Sequence, residues 1–115
     1  MSRHHRIKSL IARYGKSYRF ERMVKTDDLE RYVPDTGTYK AWLQKANSDI
    51  SASFLARNIV ATHVLYMTAF PGNLNTGDRV VGLVSGVEAT LHVVSEAEDV
   101  AGLNNLWMVI LQSNA

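Results

Sequence analysis

The stretch from residue 62 to residue 111 constrains the fold of this 115-residue chain most, because it alternates short β-rich runs with turns. The runs have strand-like lengths and are dense in β-branched and aromatic residues, and Gly, Asn, Asp and Pro separate them. They cover residues 62–68, 79–84, 87–94 and 106–111. The last run is apolar on both faces, so we expect both faces to be covered. The pattern predicts a small antiparallel β-domain whose function lies in its surfaces.

An amphipathic helix is predicted over residues 2–14. Its apolar residues recur at i, i+3, i+4 and i+7, and they are Ile7, Leu10, Ile11 and Tyr14. Ser2 can cap its start and Gly15 can end it. A helix this short is marginal alone in water, so we expect its apolar stripe to dock on the domain or on a partner subunit.

Two strands and one undecided segment follow the helix. Residues 17–24 and 38–45 alternate as strands do, and the Pro34-Asp35-Thr36-Gly37 sequence between them is typical of a turn. In residues 47–61, Asp49 can cap a short helix that buries Ile50, Phe54 and Leu55, but the serines fit a long loop equally well. Turns are also predicted at residues 70–73 and 75–78, a tight reversal between Gly82 and Gly86, and an acidic loop over residues 95–105.

Composition predicts one soluble intracellular domain spanning residues 1–115, with a helix over 1–15 and a mainly β part, barrel or sandwich, over 16–115. At 46% hydrophobic residues the chain can bury one modest core. It has no cysteine, so disulfides and thiolate metal sites are excluded. No apolar run reaches the roughly 20 residues of a membrane span, and the basic N-terminus lacks the apolar core of a signal peptide.

The net charge of +2 hides an asymmetry along the chain. Residues 1–26 hold eight basic residues against Glu21 alone, a net charge of +7, whereas the remainder carries −5. The two parts therefore suit different electrostatic partners, or each other in neighbouring copies. A solvated basic helix beside an ordinary acidic surface explains the asymmetry equally well.

The sequence carries no recognisable catalytic constellation, and we expect neither an enzyme nor a cofactor or metal. The adjacent His4 and His5 cannot converge on a metal as i, i+4 neighbours can. His63 and His92 lie in predicted strands, where a satisfied hydrogen bond is the simpler explanation. Asp78 follows Gly77 and opens a strand, so we expect it to accept hydrogen bonds from turn amides.

Three short motifs occur in order along the chain. They are LIARYG at residues 10–15 followed by a strand, PDTGTY at residues 34–39, and NTGDRVV at residues 75–81 before a β-hairpin. Together they resemble the head-closure (head-tail stopper, or head-tail joining) proteins of tailed bacteriophages. The resemblance covers nearly the whole chain, although residues 47–61 and 95–105 depart from the family pattern. It implies a small β-barrel with a peripheral helix, in a ring usually of twelve copies beneath the portal and adaptor rings.

The resemblance also implies a location and partners. The location is the virion neck, after assembly in the host cytoplasm, and the partners are the portal or adaptor ring, tail proteins, neighbouring copies and the packaged DNA in the channel, with no membrane. The candidate channel-gating loop comprises Asn47, Ser48, Asp49, Ser51, Ser53, Arg57 and Asn58, and a mobile outer connection is the other interpretation of this segment. The candidate partner-docking segment comprises Arg3, Arg6, Lys8, Arg13 and Lys16.

Two other functions stay open at this point. A tail terminator or tail-completion protein of the same neck has a similar size, β-content and ring-forming habit. A small nucleic-acid-binding β-barrel fits the pI of about 9.0.

Overall fold

The computed structural model describes residues 3–34, 37–68, 74–84, 86–100 and 105–113. Strands dominate these ranges, as the sequence predicts. In chain order the elements are α1 (Arg3–Tyr14), β1 (Lys16–Thr26), β2 (Leu29–Pro34), β3 (Tyr39–Lys45), α2 (Ser48–Leu55), β4 (His63–Met67), β5 (Arg79–Val84), β6 (Val87–Val93), β7 (Glu98–Asp99) and β8 (Trp107–Ser113).

Six strands form a closed antiparallel barrel. Their order is β1-β3-β4-β8-β6-β5, and β5 returns to β1 through the register pairs Arg19–Val81, Phe20–Val80 and Glu21–Arg79. The two remaining strands lie outside this ring, since β2 pairs with β1 and β7 pairs with β8. Closure removes the free edges that an open sheet of the same strands would expose. The sequence left barrel and sandwich open, and the structure is a barrel.

The barrel interior is filled by side chains at alternating strand positions. It contains Tyr18, Phe20, Ala41, Leu65, Met67, Leu74, Val80, Leu91, Val93, Val109 and Leu111. Tyr39, Leu43 and Trp107 are partly buried against them. Burial of each large apolar side chain contributes on the order of 1.5–3 kcal/mol, so this interior is the main core of the fold.

A second apolar cluster lies on the outer face of the barrel, beneath both helices. It joins Ile7 and Ile11 of α1 to Val64 and Tyr66 of β4 and to Ile110 of β8. Ile50 and Phe54 of α2 pack against the same cluster. Strand β8 is therefore covered on both faces, because Val109 and Leu111 face the interior while Ile110 faces the helices. This confirms the prediction drawn from its continuous apolar run.

Helix α1 begins and ends close to its predicted limits, but its stripe is only partly covered. Ile7 and Ile11 are buried and Leu10 is half-buried, whereas Tyr14 is 57% exposed. Tyr14 lies at the end of the helix, where the chain turns into β1, so the expectation that it is covered is wrong. The Gly15 amide donates to the Ile11 carbonyl at 2.8 Å, and a Cβ at Gly15 would lie 2.4 Å from that oxygen. The predicted Ser2 cap lies outside the described residues.

The undecided segment contains a short helix, which is one of the two alternatives that the sequence left open. Asn47 caps α2 by accepting a 2.8 Å hydrogen bond from the Ile50 amide, whereas Asp49 lies in the first turn. After the helix, Ile59 donates to the Phe54 carbonyl and Asn58, at φ 60°, donates to the Leu55 carbonyl. These are the paired bonds of a Schellman motif, so both ends of α2 are satisfied. Leu55 is exposed, contrary to expectation.

Strand β2, which local patterns do not predict, forms a hairpin with β1. Asp27 and Asp28 connect the two strands with φ values of 48° and 63°. Positive φ at both central residues is what a two-residue type I′ turn requires, and Asp tolerates it better than most residues.

The remaining predicted turns have mixed outcomes. Gly37, Gly77 and Gly86 have positive φ, as turn glycines do. Gly82 does not belong to the reversal before β6, because it lies within β5 under the Tyr18 ring, where a Cβ would be 2.3 Å from Cδ1. The acidic loop is interrupted by β7 at Glu98–Asp99. Residues 35–36, 70–73 and 101–104 lie outside the described residues.

Candidate functional site

A β-hairpin projects from one end of the barrel, and we call residues 22–33 the hairpin arm. Strand β1 pairs with β5 only as far as Glu21, whereas its pairing with β2 continues to Thr26. Five residues beyond the barrel extend it by roughly 17 Å at strand rise, and the molecule is 50 Å long but 34 × 31 Å across. Val24, Leu29 and Val33 of the arm are exposed, and Leu29 at the turn is 67% exposed.

The turn before β5 anchors the base of the arm. Asp78 is only 5% exposed, and its carboxylate accepts hydrogen bonds from the Met23 amide at 2.9 Å and from the Asn75 amide at 2.8 Å. The Met23 side chain lies over Gly77, where a Cβ would approach its Cε to 2.8 Å. This confirms that Asp78 binds turn amides, and it adds a long-range contact to β1 that the sequence did not indicate.

Arg79 provides a second anchor for the arm. Its Nε donates to Glu21 Oε1 at 2.5 Å, and its guanidinium lies 3.6 Å from the centre of the Tyr32 ring. A partly buried ion pair and a cation–π contact on one guanidinium join both strands of the hairpin to β5. The arm is thus held at its base while its tip extends into solvent.

An open groove runs between α1, β3 and the start of α2, and we call it the helix groove. Its lining includes the apolar side chains of Leu10, Trp42, Ile50 and Tyr66 and the cations Arg6 and Lys45. Trp42 and Tyr66 pack with ring centres 5.8 Å apart and form part of its floor. Neither the arm nor the groove was predicted. The Asp27-Asp28 pair between β-rich runs was the available signal for the arm.

His63 lies at the start of β4, opposite Lys45 of β3. Its Nδ1 is 2.9 Å from the Thr62 hydroxyl, which also accepts from the Ser113 amide at 2.7 Å. Burial lowers the pKa of His63 below its ordinary value of 6.5, and the charge of Lys45 lowers it further. The predicted hydrogen-bonded role of His63 is confirmed. His92 contacts the Tyr32 ring edge-on, with ring centres 6.5 Å apart.

The structure places most residues of the candidate gating loop on or beside the solvent side of α2. Ser48, Asp49, Ser53, Arg57 and Asn58 are exposed. Ser51 is half-buried and lies 3.4 Å from the Ala61 carbonyl, and Asn47 is the helix cap. Arg57 lies over the Phe54 ring at 4.4 Å from its centre. That these side chains line a channel stays a prediction, and most of them belong to a docked helix instead of an unstructured loop.

The candidate basic segment is divided between α1 and the start of β1. Arg6 and Arg13 are exposed on α1, and Lys8 is half-buried. Lys16 is exposed in β1, and the Arg3 side chain lies outside the described part of the chain. Of the four whose side chains the structure describes, Arg6 reaches the helix groove.

Aromatic side chains of the described strands are covered, some in the barrel interior and others by the helices or by the base of the hairpin arm. Tyr18, Phe20 and Tyr66 are buried, and Tyr32, Tyr39, Trp42 and Trp107 are half-buried, so the described strands present no exposed aromatic ring. Single-stranded nucleic acids are usually bound on exposed aromatic platforms. Among the described residues, no group of three or more His, Asp or Glu is arranged to hold a metal ion. Neither α1 nor α2 is long and apolar enough to cross a membrane.

In the part of the chain that the structure describes, the fold is a small closed antiparallel β-barrel. Two helices lie on one outer face of the barrel, and a hairpin projects from one end. The candidate functional surfaces of the chain are the hairpin arm and the helix groove. No known family model and no curated protein sequence matches the chain.

Proposed function

We propose that this chain is a structural subunit of the neck of a tailed bacteriophage, where a ring of copies between the portal or adaptor and the tail closes the DNA-filled head. No catalytic step is assigned to it. The order of its three motifs supports this function, and the barrel with a peripheral N-terminal helix agrees with what the resemblance implies.

The observation that carries the proposal is the hairpin arm. The barrel interior is filled by its own side chains. The hairpin arm projects from it, and Val24, Leu29 and Val33 of the arm are exposed. Exposed apolar side chains on a rigid projection favour contact with another protein. A ring subunit needs such a contact, because each copy must engage its neighbours as well as the rings above and below.

The preference for a protein partner over DNA also follows from physical reasoning. Phosphate contacts by Lys and Arg give strong, salt-dependent DNA binding, which would retard ejection through a conduit. The basic residues Arg6 and Arg13 of α1 flank an apolar face that is already docked on the barrel. We therefore assign the basic segment to a protein partner, the acidic surface of an adaptor or a neighbouring copy.

The test uses particles of the phage that encodes the chain, assembled with and without it. Heads lacking it should lose packaged DNA to added nuclease, and purified chain should restore protection. The Ile11→Asp variant, which cannot dock α1, is the matched control and should not restore it. Heads that are already nuclease-resistant without the chain would overturn the proposal. Resistant heads together with tails of uncontrolled length would instead indicate a tail terminator.

A further inference from the structure

The tip of the hairpin arm combines one exposed apolar side chain with unpaired acidic groups. Leu29 is 67% exposed, and Asp27, Asp28 and Glu30 flank it. All three carboxylates are exposed, and none forms an ion pair within 4 Å with any residue in the described part of the chain. Lys25 lies opposite Glu30 across the hairpin and Arg31 follows Glu30. The acidic excess of the tip therefore comes from Asp27 and Asp28 at the turn. A tip of this kind suits an apolar pocket with a basic rim.

The helix groove has the complementary composition. Leu10, Trp42 and Ile50 are half-buried and give it an apolar lining, and Tyr66 lies at its floor. Arg6 and Lys45 stand at its rim, and neither side chain forms an ion pair within the described ranges.

We propose that the hairpin arm of one copy inserts Leu29 into the helix groove of the next copy, with the acidic tip residues meeting Arg6 and Lys45. This contact rests on the proposed function, which requires a ring, and it names the surfaces that join neighbouring subunits. Apolar burial at the centre and charges of opposite sign at the rim would set both affinity and register.

The two surfaces are different parts of the molecule, which determines the symmetry of the assembly. Each copy offers one arm and one groove, so the contact is heterologous. Heterologous contacts produce closed rings or open chains, whereas a two-fold dimer would require one surface to meet itself. The anchors at Asp78 and Arg79 hold the arm in one orientation, and this lowers the entropy lost when it binds.

Cysteine cross-linking tests the contact directly, because the chain contains no cysteine of its own. Leu29 and Gln44 are exposed, so the Leu29→Cys and Gln44→Cys variants are expected to fold. The two variants are mixed and oxidised at a protein concentration of about 1 mM, because contacts with a millimolar Kd are populated at that concentration. Gln44 lines the groove. We call the disulfide between the Leu29→Cys variant and the Gln44→Cys variant the Leu29–Gln44 cross-link. It should form roughly ten-fold faster than the disulfide of a control pair.

Val87→Cys with Gln44→Cys is the matched control. Val87 is 68% exposed, follows the turn glycine Gly86 and begins β6, so it resembles Leu29 in chemistry, exposure and hairpin setting. Equal rates for the two pairs would overturn the proposal. Cross-linking of Leu29→Cys mainly to itself would also overturn it, since that would indicate two arms pairing through their β2 edges.

A charge exchange tests the rim. Glu30→Lys in the chain that carries Leu29→Cys, or Lys45→Glu in the chain that carries Gln44→Cys, should each slow the mixed cross-link several-fold. Combining both should restore the rate, because the pair is again of opposite sign. Additive loss in the combined pair would contradict contact between these two positions.

The outcomes separate this inference from the proposed function. Failure of the Leu29–Gln44 cross-link, in a chain that still protects packaged DNA, would overturn the contact and keep the neck function. If the Leu29–Gln44 cross-link is specific but phage heads retain their DNA without the chain, the contact is supported and the proposed neck function is overturned.

Discussion

At the scale of single residues, Asp78 links the hairpin arm to the barrel. Its nearly buried carboxylate satisfies two backbone amides from segments that lie far apart in the chain, those of Met23 and Asn75. Its own carbonyl accepts from the Val93 amide at 2.8 Å, so the same residue also contacts β6. Leaving a buried amide without a partner costs more than the bond contributes when it is present.

We expect Asp78→Ala to lower the free energy of unfolding by about 1–3 kcal/mol, because it removes the acceptor of two partly buried amides. Asp78→Asn should cost less, since one oxygen remains, although its NH₂ group then faces an amide donor. Urea unfolding measures both changes. Glu96→Ala removes an exposed carboxylate and should change stability by less than about 0.5 kcal/mol. Equal stability of the Asp78→Ala protein and the wild type would contradict this role.

His63 makes stability depend on pH in a definite direction. Its pKa in the folded chain is lowered by burial and by Lys45, so the unfolded chain, with a pKa near 6.5, binds the proton more readily. The stability contribution is therefore complete above pH 6.5 and is lost as the pH falls through the folded pKa.

Thermal unfolding between about pH 7.5 and pH 5 tests this effect. The midpoint should fall on acidification, and His63→Gln should reduce that fall. Lys45→Gln should also make the fall smaller, since removing the like charge brings the folded pKa of His63 back towards 6.5. Identical pH profiles for wild type and His63→Gln would contradict the assignment.

At the scale of elements, α1 shows how tertiary contacts divide an amphipathic stripe. Periodicity alone treats Leu10 and Ile11 as equivalent. In the structure Ile11 is buried in the outer cluster, whereas Leu10 lines the helix groove and stays half-buried. The two residues should therefore respond differently to the same substitution.

Ile11→Asp should unfold the chain or undock α1, because a buried unpaired carboxylate costs several kcal/mol, comparable with the stability of a small domain. Leu10→Asp should leave the monomer folded and should weaken the association between copies of the chain. Circular dichroism with urea unfolding tests the first effect, and the Leu29–Gln44 cross-link tests the second. A fully stable Ile11→Asp protein would place this helix face in solvent.

The segment between the predicted strands 38–45 and 62–68 also depends on tertiary contacts. For residues 47–61, cap chemistry was visible in the sequence, but loop and helix were equally consistent with it. Docking of Ile50 and Phe54 on the outer cluster decides for a helix, since eight residues are too few for one to persist alone in water. Deleting residues 47–61 would expose the outer cluster to water, so the deletion is expected to destabilise the fold.

At the scale of the whole molecule, charge and shape indicate an assembly formed from weak contacts. The basic residues of the first 26 positions are spread over α1 and β1, and the acidic tip lies at the end of the hairpin arm. A contact made through one hairpin tip is expected to be small, and interfaces below roughly 1,000 Å² are typically weak. Several such contacts on a partner ring would gain strength by effective concentration.

We therefore expect the purified chain to be monomeric at about micromolar concentration, with association that rises with concentration and weakens as salt screens the rim charges. Light scattering after size exclusion, at low and high salt, measures both. Val87→Ser, which removes a similar exposed apolar side chain on another hairpin, should leave the association unchanged, whereas Leu29→Ser should weaken it. A stable ring of the isolated chain would contradict the expectation.

The sequence by itself determined the strand-rich class, the N-terminal helix, the Asp78 turn and the double coverage of β8. These features depend on local chemistry: alternation, positive φ at glycine, carboxylates beside turn amides and an unbroken apolar run. Tertiary structure alone decided the closure of β1 on β5, the formation of α2, the exposure of Tyr14 and the position of the hairpin arm. Each of these depends on contacts between segments distant in the chain, so local patterns leave more than one outcome possible until the barrel closes.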